Sequence, residues 1–345
     1  MRRLPRLRAL HEALILSACR DSRGHLNSDV MLLTDMNQVL RRFVIAHLLI
    51  ALGNCVALSQ SSNKQPIAEI PFAFDHTSVV IQVRLNGKGP FNMVLDTGSD
   101  VATIDLATAK NLGLNLKSTA RQVTGGGSEK SQVFLTQIPQ VEIGDLASKN
   151  IVAVAVDLSK SSQVLGKPLH GALGYGVLQN RIVQFDYPKR IIRFYSTSPY
   201  PKVDPTSNNE HRLVFPFKLG DDSPIVDDVY VNGKRLKVVI DTGGGGTYFA
   251  LMPEAISALG LEQEMSQAEP DSRGAGLNGV ITSRKGKIKT LKVGSINIDS
   301  PTIIFYPKGV GKDNRKYSGA IGNVFLQDFV VTFDYPNKTV VLEGP

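Results

Sequence analysis

The stretch VVIDTGGGGTYFA, Val238 to Ala250, carries three β-forming residues into Asp-Thr-Gly and then into three further glycines. An earlier stretch, NMVLDTGSDVATID, runs from Asn92 to Asp105 and brings a similar apolar run to the same triplet. Asp96 and Asp241 stand 145 residues apart. The second copy has lost a serine and gained glycines, so the triplet is repeated but its surroundings are not.

Other blocks repeat in the same order. Ile70-Pro-Phe-Ala-Phe answers Val214-Phe-Pro-Phe-Lys, and Leu85-Asn-Gly-Lys answers Val231-Asn-Gly-Lys. Gly171-Ala-Leu-Gly answers Gly319-Ala-Ile-Gly, with Leu178 and Leu326 following. Val183-Gln-Phe-Asp-Tyr-Pro answers Val331-Thr-Phe-Asp-Tyr-Pro. Five ordered blocks at offsets of 145 to 148 mark an internal duplication. A unit of about 125 residues is the size of a domain, not of a solenoid repeat. We therefore expect a first lobe at 67–197, a Pro-rich polar linker at 198–211 and a second lobe at 212–345.

Within each unit the pattern is β. VVIQVRLNGKGPFNMVLD alternates, turns at Asn86-Gly87 and alternates again, and VYVNGKRLKVVID does the same around Asn232-Gly233. Asn-Gly between alternating runs is a hairpin signal. QFDYPKRIIRFY and TFDYPNKTVVLE read as closing hairpins. DLATAKNLG and MPEAISALG each read as a short helix ending at glycine. The expected class is all-β, with two homologous β-barrel lobes, a few short helices and a cleft between the lobes.

The 345 residues carry a formal net charge of +8. Half of it lies in residues 1–59, which hold eight Arg and four acids. The remaining basic residues are scattered, so no nucleic-acid partner is implied. Arg41-Arg42, the apolar run Phe43 to Leu58 and the small-x-small end Ala57-Leu58-Ser59 read as a secretory signal over about 36–59, with Met36 as a natural start. Export to a periplasmic or extracellular space is expected. An uncleaved anchor at 43–58 is an alternative and the one expected membrane contact, although 16 apolar residues are short for a span of ~20. A lipidated Cys55 is a weaker one, because Asn54 is large for the residue before it. Both cysteines, Cys19 and Cys55, fall in this leader, which leaves the rest of the chain without a disulfide or a Cys-based metal site.

Two Asp-Thr-Gly triplets at the ends of matching strands suit a specific chemistry. A buried pair of carboxylates a few ångströms apart holds one proton between them. The charged one can take a proton from water while the protonated one hydrogen-bonds a scissile carbonyl. Glycine lets backbone N–H groups come close, and threonine hydroxyls can lock the loops across a pseudo-two-fold axis. No cofactor or metal is called for.

These residues resemble the aspartic proteases of the retropepsin/pepsin superfamily, and most of all bacterial retropepsin-like proteins. Asn86-Gly-Lys-Gly-Pro-Phe-Asn-Met-Val-Leu-Asp-Thr-Gly-Ser matches their opening, and Ala172-Leu173-Gly174 and Ala320-Ile321-Gly322 match their apolar-apolar-Gly signature. The resemblance covers residues 70–345 in two copies. It implies Asp96 and Asp241 as the catalytic pair, supported by Thr97, Gly98 and Ser99 on one side and Thr242, Gly243 and Gly244 on the other. It implies a polypeptide substrate and, because both loops lie in one chain, a monomer. The flap candidates are Thr124, Gly125, Gly126 and Gly127 in the first lobe and Gly274 and Gly276 in the second.

The second lobe departs from the pattern at Gly244, where the family usually has Ser or Thr bonding the outer carboxylate oxygen. With Ser99 supporting Asp96 and nothing equivalent at Asp241, the shared proton is expected on Asp241. A second reading of the glycines is a decaying site, against which the intact Asp241-Thr242-Gly243 argues, so a non-catalytic peptide- or ligand-binding protein on this scaffold is the alternative function. An envelope structural protein is a third. Gly274, Gly276 and Gly279 also form a G-x-G-x-x-G, but VITSRKGKIKTLKV after it alternates like a strand and no helix follows. His76, His170 and His211 are far apart in sequence and read as loop residues.

Overall fold

The two Asn-Gly turns close their hairpins as expected. In the computed structural model Ser78–Leu85 pairs antiparallel with Lys88–Leu95, and Ser223–Val231 with Lys234–Ile240. Asn86 and Gly87 have φ of 50° and 73°, and Asn232 and Gly233 have 49° and 78°, the left-handed pair that a two-residue hairpin turn requires. Each asparagine also works through its side chain: Asn86 Oδ1 accepts from Gln140 N–H and Asn232 Oδ1 from Thr290 N–H, both at 3.0 Å. The structure describes residues 65–75, 78–119, 132–200, 211–276, 279–308 and 316–344. The leader, the Thr124–Gly127 flap candidates and most of the linker lie outside the described residues.

The first repeat is a closed barrel. Lys88–Leu95 pairs with Gly171–Leu173, then come Ala102–Asp105, Leu146–Val156 and Phe134–Ile143, and that last strand pairs back onto Ser78–Leu85 through Arg84 and Glu142. The second repeat lays out the same strand order. There the counterpart of Leu146–Val156 is split into Ile296–Asp299 and Thr302–Phe305. Pro301 stands in the gap, and proline cannot donate to a sheet ladder.

The closing hairpins do more than close their own repeats. Ile182–Asp186 pairs antiparallel with Val330–Asp334, so the two hairpins join edge to edge. The result is one six-stranded sheet: Ala68–Pro71, Ile191–Tyr195, Ile182–Asp186, Val330–Asp334, Thr339–Glu343 and Arg212–Pro216. Gln184 faces Thr332 at the centre of the register, and these are repeat-equivalent positions, so the pseudo-two-fold axis passes between them. Residues 64–345 form one compact unit. The core runs through it without a break, from Val79, Ile81 and Leu95 through Phe185 and Phe333 to Val238 and Ile240.

The two expected helices form at Leu106–Asn111 and Pro253–Leu259. Asp105 caps the first by accepting from Thr108 N–H at 2.9 Å. Gly260 ends the second at φ 68°. Four short helices were not legible in the periodicity: Ser159–Leu165, Tyr175–Leu178, Glu262–Gln267 and Asn323–Leu326.

Candidate active site

Each aspartate leaves its strand at the same place. Lys88–Leu95 and Lys234–Ile240 lie parallel to Gly171–Leu173 and Gly319–Ile321, and the strand after each triplet flanks the other side. Asp96 N–H donates to Leu173 O and Asp241 N–H to Ile321 O, both at 2.9 Å. The apolar-apolar-Gly block thus fixes where the acidic loop begins. Gly174 and Gly322 follow it because a Cβ there would lie 2.2 Å from Ser99 O and 2.6 Å from Gly244 O.

The loops then meet across the axis. Thr97 N–H donates to Thr242 Oγ1 and Thr242 N–H to Thr97 Oγ1, both at 3.0 Å. The hydroxyls in turn donate to Ile240 O and Leu95 O, both at 2.7 Å. Both threonines are buried. Gly98 and Gly243 pack on the opposite carboxylates: a Cβ at Gly98 would stand 2.6 Å from Asp241 Cγ, and one at Gly243 2.3 Å from Asp96 Cγ. Only glycine fits at either position. Their N–H groups donate back to Asp96 Oδ1 and Asp241 Oδ1 at 2.8 Å.

The two carboxyls are hydrogen-bonded to each other. Asp96 and Asp241 are both half-buried. Burial holds the Asp96 carboxyl well above the usual carboxylate range, and the Asp241 charge and hydrogen bond push it further, with a smaller push from Asp100. The Gly98 N–H works in the opposite direction and does not win. The pair therefore keeps a proton where an isolated aspartate would have lost it.

An aspartyl protease family model matches residues 81–177 and again 228–325. The chain belongs to the aspartyl protease family. The two matches together span more than half of it and carry one Asp-Thr-Gly each. No curated protein matches it.

Not every expectation for this aspartyl protease site holds. Ser99 does not support Asp96, because its hydroxyl donates to Val101 O at 2.9 Å. The backbone turn after Gly98 brings that carbonyl within hydrogen-bonding reach of the hydroxyl. The proton placement deduced from Ser99 loses its basis with it. Gly244 lies beside Asp241, where a Cβ would be 3.4 Å from Oδ2. The extra glycines lengthen the loop. Thr103 and Ala250 face the equivalent residues Ala172 and Ala320, so the offset has grown from 145 at the aspartates to 147 at the next strand. Gly274 and Gly276 lie in a hairpin formed by Glu269–Gly276 and Gly279–Lys287, which continues as strand and not as a nucleotide loop. The first-lobe helix Ser159–Leu165 lies against this hairpin. His170 is a strand partner, accepting from Asn92 N–H at 3.0 Å through Nδ1.

Three supporting residues were not singled out from the sequence. Ser223, which is buried, reaches across from the second repeat and donates to Gly98 O at 3.0 Å. Tyr187, in the first closing hairpin, donates to Asn323 Oδ1 at 2.6 Å. Asn323 Nδ2 donates to Thr242 O at 2.7 Å, inside the second acidic loop. The visible signal for Asn323 was one polar residue directly after a duplicated apolar-apolar-Gly block.

Proposed function

We propose that the protein is an exported, single-chain aspartic endopeptidase whose catalytic pair is Asp96 and Asp241. The observation that carries this reading is the reciprocal contact of Gly98 with the Asp241 carboxyl and Gly243 with the Asp96 carboxyl, with the threonine exchange beneath. Such a pair shares one proton. The ionised carboxylate takes a proton from a water placed between the two. The protonated one hydrogen-bonds the scissile carbonyl, and attack gives a tetrahedral diol. As the diol collapses, the carboxyl that took the water's proton gives it to the leaving nitrogen, the other takes back the proton it gave the carbonyl oxygen, and the C–N bond breaks to release the amine. The chain's own groups suffice for each step, since no covalent intermediate forms. The substrate is an extended polypeptide bound by backbone hydrogen bonds in the cleft. The second-repeat hairpin leaning on the first-repeat helix supports a role as its cover. The signal-like run over 36–59 supports export.

The test is cleavage of a diverse peptide library by the full chain across acidic to neutral pH. Asp96→Asn and Asp241→Asn should each abolish it, and a diol mimic should block it. A folded wild type that binds peptides but cleaves none would move the assignment to a non-catalytic binding protein.

A further inference from the structure

Tyr187, Asn323, Thr242, Gly243 and Asp241 form one line of hydrogen bonds. The Tyr187 hydroxyl donates to Asn323 Oδ1, and Asn323 Nδ2 donates to Thr242 O. The same peptide unit carries the Gly243 N–H, which donates to Asp241 Oδ1 at 2.8 Å. The carboxamide can face only one way, because Thr242 O accepts and cannot donate. Hydrogen bonds in series polarise one another, and a peptide whose carbonyl accepts a bond becomes a stronger donor at its N–H. The line therefore ends in strengthened support for negative charge on Asp241. Tyr187 and Asn323 are both buried, so water does not dilute the effect.

The first repeat lacks this line. Tyr175 stands at the place of Asn323, directly after Gly174, and offers no carboxamide. Tyr335 is the counterpart of Tyr187. It is 6% exposed, its ring lies 6.0 Å from that of Tyr175, and its hydroxyl has no hydrogen-bond partner among the described residues. The two loops are alike in their glycines and threonines and differ in what stands behind them.

We propose that Asn323, oriented by Tyr187, is a positioning residue that fixes the single negative charge of the pair on Asp241 and leaves the proton on Asp96. This deepens the peptidase reading and rests on it for the roles that follow: Asp241 as the base that activates water, Asp96 as the acid that bonds the carbonyl. The raised pKa of Asp96 agrees in direction. The other groups facing the pair are Asp100, whose charge bears on Asp96, and the phenols of Tyr187 and Tyr335, near Asp241 and Asp96 respectively. Burial pushes both phenols up, so they stay neutral while the carboxyls titrate.

The experiment is a titration of the full chain carrying carbon-13 at its aspartate carboxyls, with Asp96 and Asp241 identified by the signals lost in Asp96→Asn and Asp241→Asn. In the wild type the carboxyl ionising in the lower step should be Asp241. Asn323→Leu should raise that lower step by about half to one pH unit, as expected for one hydrogen bond's worth of support. Tyr187→Phe should raise it by less, and Tyr335→Phe should not move it. The acid limb of kcat/KM should follow the same order. If Asn323→Leu fails to fold, Tyr187→Phe, which removes one oxygen, decides. A lower step belonging to Asp96, or one unmoved by Tyr187→Phe and by a folded Asn323→Leu, overturns the proposal even if peptides are cleaved. The expected titration in a protein that cleaves nothing would uphold the proposal and sink the peptidase reading alone.

Discussion

Thr97 and Thr242 each donate a backbone N–H to the other's hydroxyl at 3.0 Å, across the interface between the two repeats. Each hydroxyl in turn donates a hydrogen bond to a strand-end carbonyl of the opposite repeat. Three buried polar groups on each side, an N–H, a hydroxyl and a carbonyl, are thereby matched by the partner in four hydrogen bonds.

Replacing either threonine by valine keeps the shape and strands one N–H and one carbonyl in a dry interface. A buried unpaired group costs about 1–3 kcal/mol. Thr97→Val or Thr242→Val should therefore lower unfolding free energy by roughly 2–4 kcal/mol. Serine at the same position should recover most of it. Denaturant titration of the valine and serine variants beside the wild type checks this.

Gly243→Ala should separate activity from folding. The new Cβ would sit 2.3 Å from Asp96 Cγ, so the carboxyls must move apart. A misplacement of this kind costs a catalyst on the order of a hundredfold or more. Circular dichroism should show native strand content while kcat/KM collapses. A variant retaining wild-type activity would mean that the carboxyl pair is not the reacting centre.

Gly244→Ser should leave the acid limb of the pH–rate profile within about 0.2 pH unit of the wild type, well under the shift that one hydrogen bond gives. Ser99 shows why: a serine in this turn gives its hydroxyl to the Val101 carbonyl and not to the carboxylate. A clear shift to lower pH would show that the longer second loop lets the hydroxyl reach Asp241.

The raised pKa of Asp96 has a sign in stability. The folded chain holds that proton more tightly than the unfolded chain does. Stability is therefore full below the unfolded pKa near ~4 and falls as pH rises through the folded value. Asp96→Asn carries no such proton. Its melting temperature should equal the wild type's near about pH 3 and exceed it by about 2 °C or more at neutral pH. Paired melting curves across that range decide the matter, and identical curves would contradict it.

The hairpins and the acidic loops were legible because their signals are local. Asn86-Gly87, Asn232-Gly233 and the two triplets each need only a few neighbours to define their geometry. The shared sheet was not, since the pairing of Ile182–Asp186 with Val330–Asp334 joins segments 148 residues apart and leaves no local mark. Ser223 and Asn323 were missed for the same reason. Each acts on the opposite loop or on a backbone carbonyl, and side-chain type alone does not disclose such a partner. The longer glycine loop did leave a trace, in the growth of the repeat offset from 145 at the aspartates to 147 at the next strand.

Consider last the contact of Gln184 with Thr332, where Gln184 Nε2 donates to Thr332 Oγ1 at 3.1 Å. In a pair of identical chains the residue on the axis would meet its own copy, and no unequal bond could form there alone. Joining two copies in one polypeptide frees the halves to diverge. Carboxamide against hydroxyl at Gln184 and Thr332, phenol against carboxamide at Tyr175 and Asn323, and a short loop against a long one are differences that only a fused pair can inherit. A reaction that asks its two acids for opposite protonation states gains from that freedom.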